Sequence, residues 1–187
     1  MHMQSDGDYT DIIELFEYLP VIENVTINLW HLLCIDEHSR ELPTSLYNLK
    51  YMCLYDLLLG DGESFYGMPL LADLIRASPN LEKLKLRTFT CTKLDEEAED
   101  VGDDYYYYYP EDIELNNLKE LEIEDLCNLK IELDFVKLML VKSPVLKTLR
   151  IFLFRSVTKD EELEILNVLL SCPRASPLVE INLHRHV

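Results

Sequence analysis

The chain has 187 residues, 48% of them hydrophobic, with 35 acidic against 17 basic side chains and a formal net charge of −18. That length and apolar content suffice for one buried core. So large an acidic surplus is repelled by nucleic acid phosphates and by anionic membrane surfaces, and neither is an expected partner.

In chain order, the first candidate element is a helix over Asp11 to Tyr18, stopped by Pro20. Strands are expected at Val25-Thr26-Ile27 and Met52-Cys53-Leu54, each entered from an apolar residue three positions earlier, Ile22 and Leu49. Met68 to Ala77 has a helical apolar face and ends at Ser78-Pro79, because a residue before proline is disfavoured in the helical region. The clearest strand motifs follow: Leu81-Glu82-Lys83-Leu84-Lys85-Leu86, Leu118-Lys119-Glu120-Leu121-Glu122-Ile123 and Leu146-Lys147-Thr148-Leu149-Arg150-Ile151. Between the last two, Phe135 to Val141 reads as a helix with Asp134 as N-cap and Ser143-Pro144 as its stop. Glu161 to Leu170 is another helix, and Leu178-Val179-Glu180-Ile181-Asn182-Leu183 is the closing strand motif.

The apolar-x-apolar pairs begin at 25, 52, 84, 121, 149 and 181, at intervals of 27, 32, 37, 28 and 32 residues. A strand-plus-helix unit at that period is the signature of long leucine-rich repeats. The expected fold is therefore α/β: a leucine-rich repeat solenoid with a curved parallel sheet on its concave face and helices on its convex face, forming one domain over 1–187. A doubly wound α/β sheet is the nearest rival. The longest interval holds an insertion at about 92–114, with ten acidic residues between Asp95 and Glu114 and a run of tyrosines from Tyr105 to Tyr109. Like charges this dense cannot be buried together, so an exposed loop is expected, with a basic partner as its functional reading.

Strand alternation sends the residues between the leucines to the opposite face. Those outward positions are Tyr51, Cys53 and Tyr55, then Lys83, Lys85 and Arg87, then Glu120, Glu122 and Glu124, then Thr148, Arg150 and Phe152, and finally Glu180, Asn182 and His184. Adjacent strands lie about 4.8 Å apart, so Lys85 is expected to pair with Glu122, and Glu122 with Arg150. The ion pairs read either as a self-satisfied ladder on an exposed sheet or as a surface selecting a complementary partner. Tyr51, Tyr55 and Phe152 are the candidate anchors.

Catalytic and metal signatures are not seen. The five cysteines, Cys34, Cys53, Cys91, Cys127 and Cys172, form no C-x-x-C pair and read as reduced, buried thiols. His184 and His186 share a strand face, but two ligands make a poor metal site. Gly60-Asp61-Gly62 and Gly67 match no phosphate-binding fingerprint, and no G-x-S-x-G elbow occurs. No enzyme, metal or cofactor is expected. Met1 to Asp6 lacks a secretory leader and no run reaches a membrane span of roughly 18 apolar residues, so a cytoplasmic or nuclear location is expected.

Leu133-Asp134-Phe135-Val136-Lys137, Ser143-Pro144-Val145-Leu146-Lys147-Thr148-Leu149-Arg150-Ile151, Asp160 to Leu166 and Pro173-Arg174-Ala175-Ser176-Pro177 carry a further likeness. Through them the chain resembles the plant F-box/FBD/leucine-rich repeat proteins, from about Leu42 to Leu183, with an FBD-like part at about 115–187. The resemblance implies target recognition for a cullin-RING ubiquitin ligase, with the repeats holding a protein target and an F-box gripping the ligase adaptor. No Leu-Pro-led F-box precedes the strand at Val25, so the expected alternative is a free-standing repeat binder or competitor unconnected to ubiquitination.

Overall fold

The computed structural model describes residues 21–28, 46–57, 67–88 and 113–185. The expected helix at Asp11 to Tyr18 and nearly all of the acidic, tyrosine-rich insertion lie outside them. The described elements are β1 (Asn24–Asn28), β2 (Tyr51–Leu57), α1 (Gly67–Ala77), β3 (Lys83–Thr88), β4 (Glu120–Leu126), α2 (Lys130–Lys142), β5 (Thr148–Leu153), α3 (Lys159–Ser171) and β6 (Glu180–Arg185).

Six strands form one sheet in strict chain order, every neighbouring pair parallel. The order never reverses, which removes the doubly wound alternative, whose ligand crevice lies where strand order reverses. The register stacks equivalent repeat positions: Val25, Met52, Leu84, Leu121, Leu149 and Ile181 form one row, and Ile27, Leu54, Leu86, Ile123, Ile151 and Leu183 the next. All six expected strands are thus present and aligned by their apolar pairs.

The entry to each strand is as regular as the strand. Leu49, Leu81, Leu118 and Leu146, the leucines three positions before each pair, are all buried. Each closes a turn by donating its N–H to the carbonyl three residues back: Leu49 to Leu46, Leu81 to Ser78, Leu118 to Leu115 and Leu146 to Ser143, at 3.0–3.3 Å. The next carbonyl then accepts two N–H groups from the following unit. Glu23 receives Lys50 and Tyr51, Lys50 receives Glu82 and Lys83, Glu82 receives Lys119 and Glu120, and Lys119 receives Lys147 and Thr148, all at 2.8–3.2 Å.

The core lies on the face carrying the leucine pairs. Leu71, Ala72, Leu74 and Ile75 of α1, Phe135, Val136, Met139 and Leu140 of α2, and Ile165 and Leu169 of α3 join the strand residues in one cluster. Ile113 and Leu115 belong to it too, so the core resumes before the expected end of the insertion at 114.

The helix starts follow side-chain chemistry. Thr158 Oγ1 accepts the Glu161 N–H at 3.3 Å and the Glu161 carboxylate accepts the Thr158 N–H at 2.7 Å, a reciprocal cap that starts α3 earlier than the expected Glu161. In α2 the expected N-cap, Asp134, sits inside the first turns and binds Lys137 at 2.7 Å instead. The cap there is Glu132, whose buried carboxylate accepts the N–H groups of Cys127 at 2.8 Å and Leu129 at 3.1 Å. Leucine at the preceding position cannot accept a hydrogen bond, so the cap comes from within the helix and α2 begins at Lys130.

Two strands carry an extra residue. In β2 and in β4 the pairing shifts between Leu54 and Leu57 and between Ile123 and Leu126. The inserted kink places Asp56 at φ 57° and Asp125 at φ 64°, in the left-handed region that aspartate and asparagine tolerate better than other non-glycine residues. Asn28 donates to Asp56 at 2.7 Å, while the Thr88 hydroxyl lies 3.1 and 3.0 Å from the carbonyls of Glu124 and Asp125.

Two predictions follow the backbone and the cap. Asp125→Val and Asp125→Gly both delete the carboxylate, so their stability difference isolates the positive φ; urea unfolding should show the valine variant less stable by about 1–2 kcal/mol. Glu132→Ala should cost about 1–2 kcal/mol by leaving the part-buried N–H groups of Cys127 and Leu129 without their carboxylate. Burial raises the Glu132 pKa against the opposing backbone hydrogen bonds. A raised carboxylate stabilises most below its unfolded value, near 4.5, and that contribution is lost as pH rises through the folded value. Wild-type stability minus that of Glu132→Gln should therefore be larger at pH 4 than at pH 7.5; an unchanged difference would contradict the assignment.

Candidate functional site

The face opposite the core is built by the alternate strand positions. Lys83, Lys85 and Arg87 stand on β3 directly beside Glu120, Glu122 and Glu124 on β4, and Glu120 and Glu122 stand beside Thr148 and Arg150 on β5. The expected pairs form. Lys85 Nζ binds Glu122 at 2.8 Å and Glu124 at 2.7 Å, and Arg150 reaches Glu120 at 3.5 Å and Glu122 at 3.7 Å. Lys83 pairs with Glu120 at 3.1 Å, and Arg87 with Glu124 at 3.2 Å and Asp125 at 3.4 Å. Lysine and arginine thus match glutamate and aspartate residue for residue.

Lys85 is the centre of this block, its side chain only 21% exposed, with those of Glu122 and Glu124 at 15% and 13%. Burial alone would depress the ammonium pKa, but hydrogen bonds and charge from Glu122 and Glu124 more than reverse that and hold it above its ordinary value. Glu120 is held below the usual carboxylate range, chiefly by its hydrogen bond with Lys83 and against the desolvation of partial burial.

The aromatic candidates fall into two groups on either side of the ions. On β2, Lys83 lies over the Tyr51 ring at 5.9 Å and Arg87 over the Tyr55 ring at 5.5 Å. Each cation is therefore held between a tyrosine on one strand and a carboxylate on the other, and such contacts are worth about 0.5–1 kcal/mol at exposed sites. Burial, with the Cys53 thiol beside it, pushes the Tyr51 phenol up to about 12, and the Cys53 thiol is the main cause of the same upward shift at Tyr55. Phe152 stands apart from the tyrosines, about 14 Å away at three strand spacings. It stacks on His184 of β6 with ring centroids 4.9 Å apart.

Three features of this face depart from the sequence reading. Cys53 keeps its outward register, between Thr26 and Lys85, yet is buried, as expected of its thiol but not of a position on the outward face. Simple alternation places Asp56 and Asp125 inward; the bulges turn them out and give Leu57 and Leu126 to the core. The repeated Met52-x-Leu54-x-Asp56-Leu57 and Leu121-x-Ile123-x-Asp125-Leu126 spacing was the available signal. His184 acts as the stacking partner of Phe152, and His186 lies outside the described residues. Among the described residues no group of three or more His, Cys, Asp or Glu side chains is placed to hold a metal.

A second ladder runs along the strand entries, where Glu23 meets Lys50 at 3.2 Å and Glu82 meets Lys119 at 2.7 Å. These side chains are about half exposed, and each pair contributes little, about 0–1 kcal/mol. Among the described residues no helix is long and apolar enough to cross a membrane.

Over 182 residues, 95% of its length, the chain is 28% identical to an F-box/FBD/LRR-repeat protein of Arabidopsis thaliana, and it spans 42% of that protein's length. The similarity is to the same plant family that the repeat and Ser-Pro motifs resemble. No family model matches the chain. No solved structure matches it.

Removing the central cation tests the geometry of the ion block. Lys85→Met should cost about 2 kcal/mol near neutral pH, because Glu122 and Glu124 are left facing each other half-buried. The loss should shrink as carboxylates protonate in acid. In the wild type the raised Lys85 pKa adds stability that is complete below pH 10.5 and is lost as pH rises through the folded value. Denaturant titrations at pH 4, 7 and 11 would check both signs.

Proposed function

We propose that the sheet is the strand-lined concave face of a leucine-rich repeat solenoid occupying 1–187, with an FBD-like part from about 115, and that this face binds another protein without catalysing a reaction. One observation carries the reading: two aromatic groups, Tyr51 with Tyr55 and Phe152 with His184, flank ions that neutralise one another. Interface energy concentrates in large aromatic side chains, while matched charges around them set register and reject wrong partners. Lys83, Lys85, Arg87, Glu120, Glu122, Glu124 and Arg150 are on this reading the selective rim, and Tyr51, Tyr55 and Phe152 the anchors. The carboxylates are committed to cations, which suits recognition better than acid–base chemistry.

The similarity to an F-box/FBD/LRR-repeat protein supports a place in target recognition for an F-box-type cullin-RING ubiquitin ligase. In such a receptor the repeats hold the target while an F-box elsewhere in the polypeptide engages the adaptor. The same face serves a free-standing binder or competitor equally well, and the native gene product separates the two. Mapping the 5′ end of the transcript and the size of the endogenous protein, then testing it for bound ligase adaptor, decides between them. A product with an F-box that retains adaptor supports the ligase reading; one without either leaves the competitor.

The face itself is tested with proteins crosslinked to the full chain and then purified. Tyr51→Ala with Tyr55→Ala, and separately Phe152→Ala, should each weaken a specific partner roughly tenfold. Glu23→Ala, on the strand-entry ladder, should leave affinity unchanged. Equal affinity for all the variants would overturn the assignment of the strand face.

A further inference from the structure

The C-terminal end of the sheet is unfinished in a patterned way. β6 is the last strand, and among the described residues nothing pairs with its outer edge. Glu180 donates its N–H to Lys147 of the preceding unit. Alternation then aims the N–H and C=O groups of Ile181 and Leu183 away from β5, at the free edge. Ile181 and Leu183 are only half-buried, although their row partners Leu149 and Ile151 are fully buried.

The helix beside that edge repeats the pattern. Asp134, Lys137 and Val141 of α2 line the groove of about 580 Å³ against Val168, Cys172 and Pro173 at the α3 end. Counted from the equivalent cap glutamates Glu132 and Glu161, those three positions correspond in α3 to Leu163, Leu166 and Leu170. The fourth α2 residue of the groove, Leu138, corresponds to Asn167, so three of the four positions that receive a neighbouring helix in α2 are leucine in α3. Leu163 is 58% exposed and Leu170 72%. An exposed apolar helix face of this kind marks an interaction surface.

We infer that this end is a two-fold interface between two copies of the chain, with β6 antiparallel to β6 of the other copy and α3 packed against α3. The patterns are self-complementary about one point. A two-fold axis perpendicular to the sheet keeps outward residues opposite outward residues. Centred on Asn182, it sets Ile181 opposite the other copy's Leu183, so the edge-directed backbone groups of both residues bond reciprocally. The same register sets Glu180 opposite the other copy's His184 at both ends of the pair, an acid facing a base. On the core side, antiparallel helices bring Leu163 against Leu170, with Leu166 nearest the axis. A second copy meets all of these conditions at once. The interface meets the strand face only at its β6 margin, through Glu180 and His184, and leaves Tyr51 and Tyr55 of β2 open on both copies.

Sedimentation equilibrium on the full chain tests this against chain concentration. The expected result is a monomer–dimer equilibrium that tightens with salt, since two chains of net charge −18 repel over long range. Leu163→Lys with Leu170→Lys replaces exposed side chains and should leave the circular dichroism unchanged while abolishing the dimer. Glu180→Lys should weaken it roughly tenfold, and adding His184→Glu in the same chain should restore it to within about threefold, because only an antiparallel two-fold brings these positions together. A chain that stays monomeric at about 100 µM overturns the proposal. So does a dimer indifferent to the leucine pair, or a charge swap without rescue. The leucine pair lies on the core side, away from Tyr51, Tyr55 and Phe152, so its result and the failure of the strand-face reading are distinguishable, whereas His184→Glu also removes the stacking partner of Phe152.

Discussion

The structure depends on a backbone contact repeated from unit to unit: one carbonyl just before each of the first four strands accepts two N–H groups from the unit that follows. Glu23, Lys50, Glu82 and Lys119 all do this. The contact ties the register of each such strand to the unit before it. A parallel strand displaced by one residue would send every leucine to the ionic face. Equivalent repeat positions therefore fall into rows across the whole sheet, and the two faces inherit separate chemistry.

From that separation the electrostatics follow. A chain with twice as many acids as bases places its lysines and arginines on neighbouring strands opposite glutamates, and the ionic face comes out balanced. Half-buried ion pairs stabilise modestly, since desolvation offsets much of the attraction. On the proposed binding face, a neutral block would contribute little pull of its own and leave affinity to aromatic contact. The cations also fix the tyrosine rings from beside, with Lys83 over Tyr51 and Arg87 over Tyr55. On the proposed reading, rings ordered in this way would lose less entropy on association.

The glutamates on the core side do different work. Glu132 and Glu161 close the helix starts after β4 and β5, and the positions counted from them show that α2 meets a neighbouring helix where α3 meets none. Among the described residues the same repeat logic that builds the interior leaves the apolar α3 face without a neighbouring helix.

The sequence by itself determined the number, order and inward face of the strands, because two leucines at a spacing of two, entered from a third, can be buried together only on a strand. It also determined the pairing of Lys85 with Glu122 and of Glu122 with Arg150, since a common register puts equal repeat positions side by side. The Ser-Pro stops after α1 and α2 were legible for the same local reason. Only the tertiary structure decided the rest. Asp56 and Asp125 turn outward because a bulge resets alternation, and a bulge is a property of two strands rather than one. Cys53 is buried although its strand position faces out, because residues far apart in the chain enclose it. Glu132, and not Asp134, caps α2, because the N–H groups it accepts are aimed by the path of the chain leaving β4. The stacking of His184 on Phe152 joins residues of different units, and the pairing of β5 with β6 creates it. Local pattern settles which face a residue takes; distance across the sheet settles what it meets there.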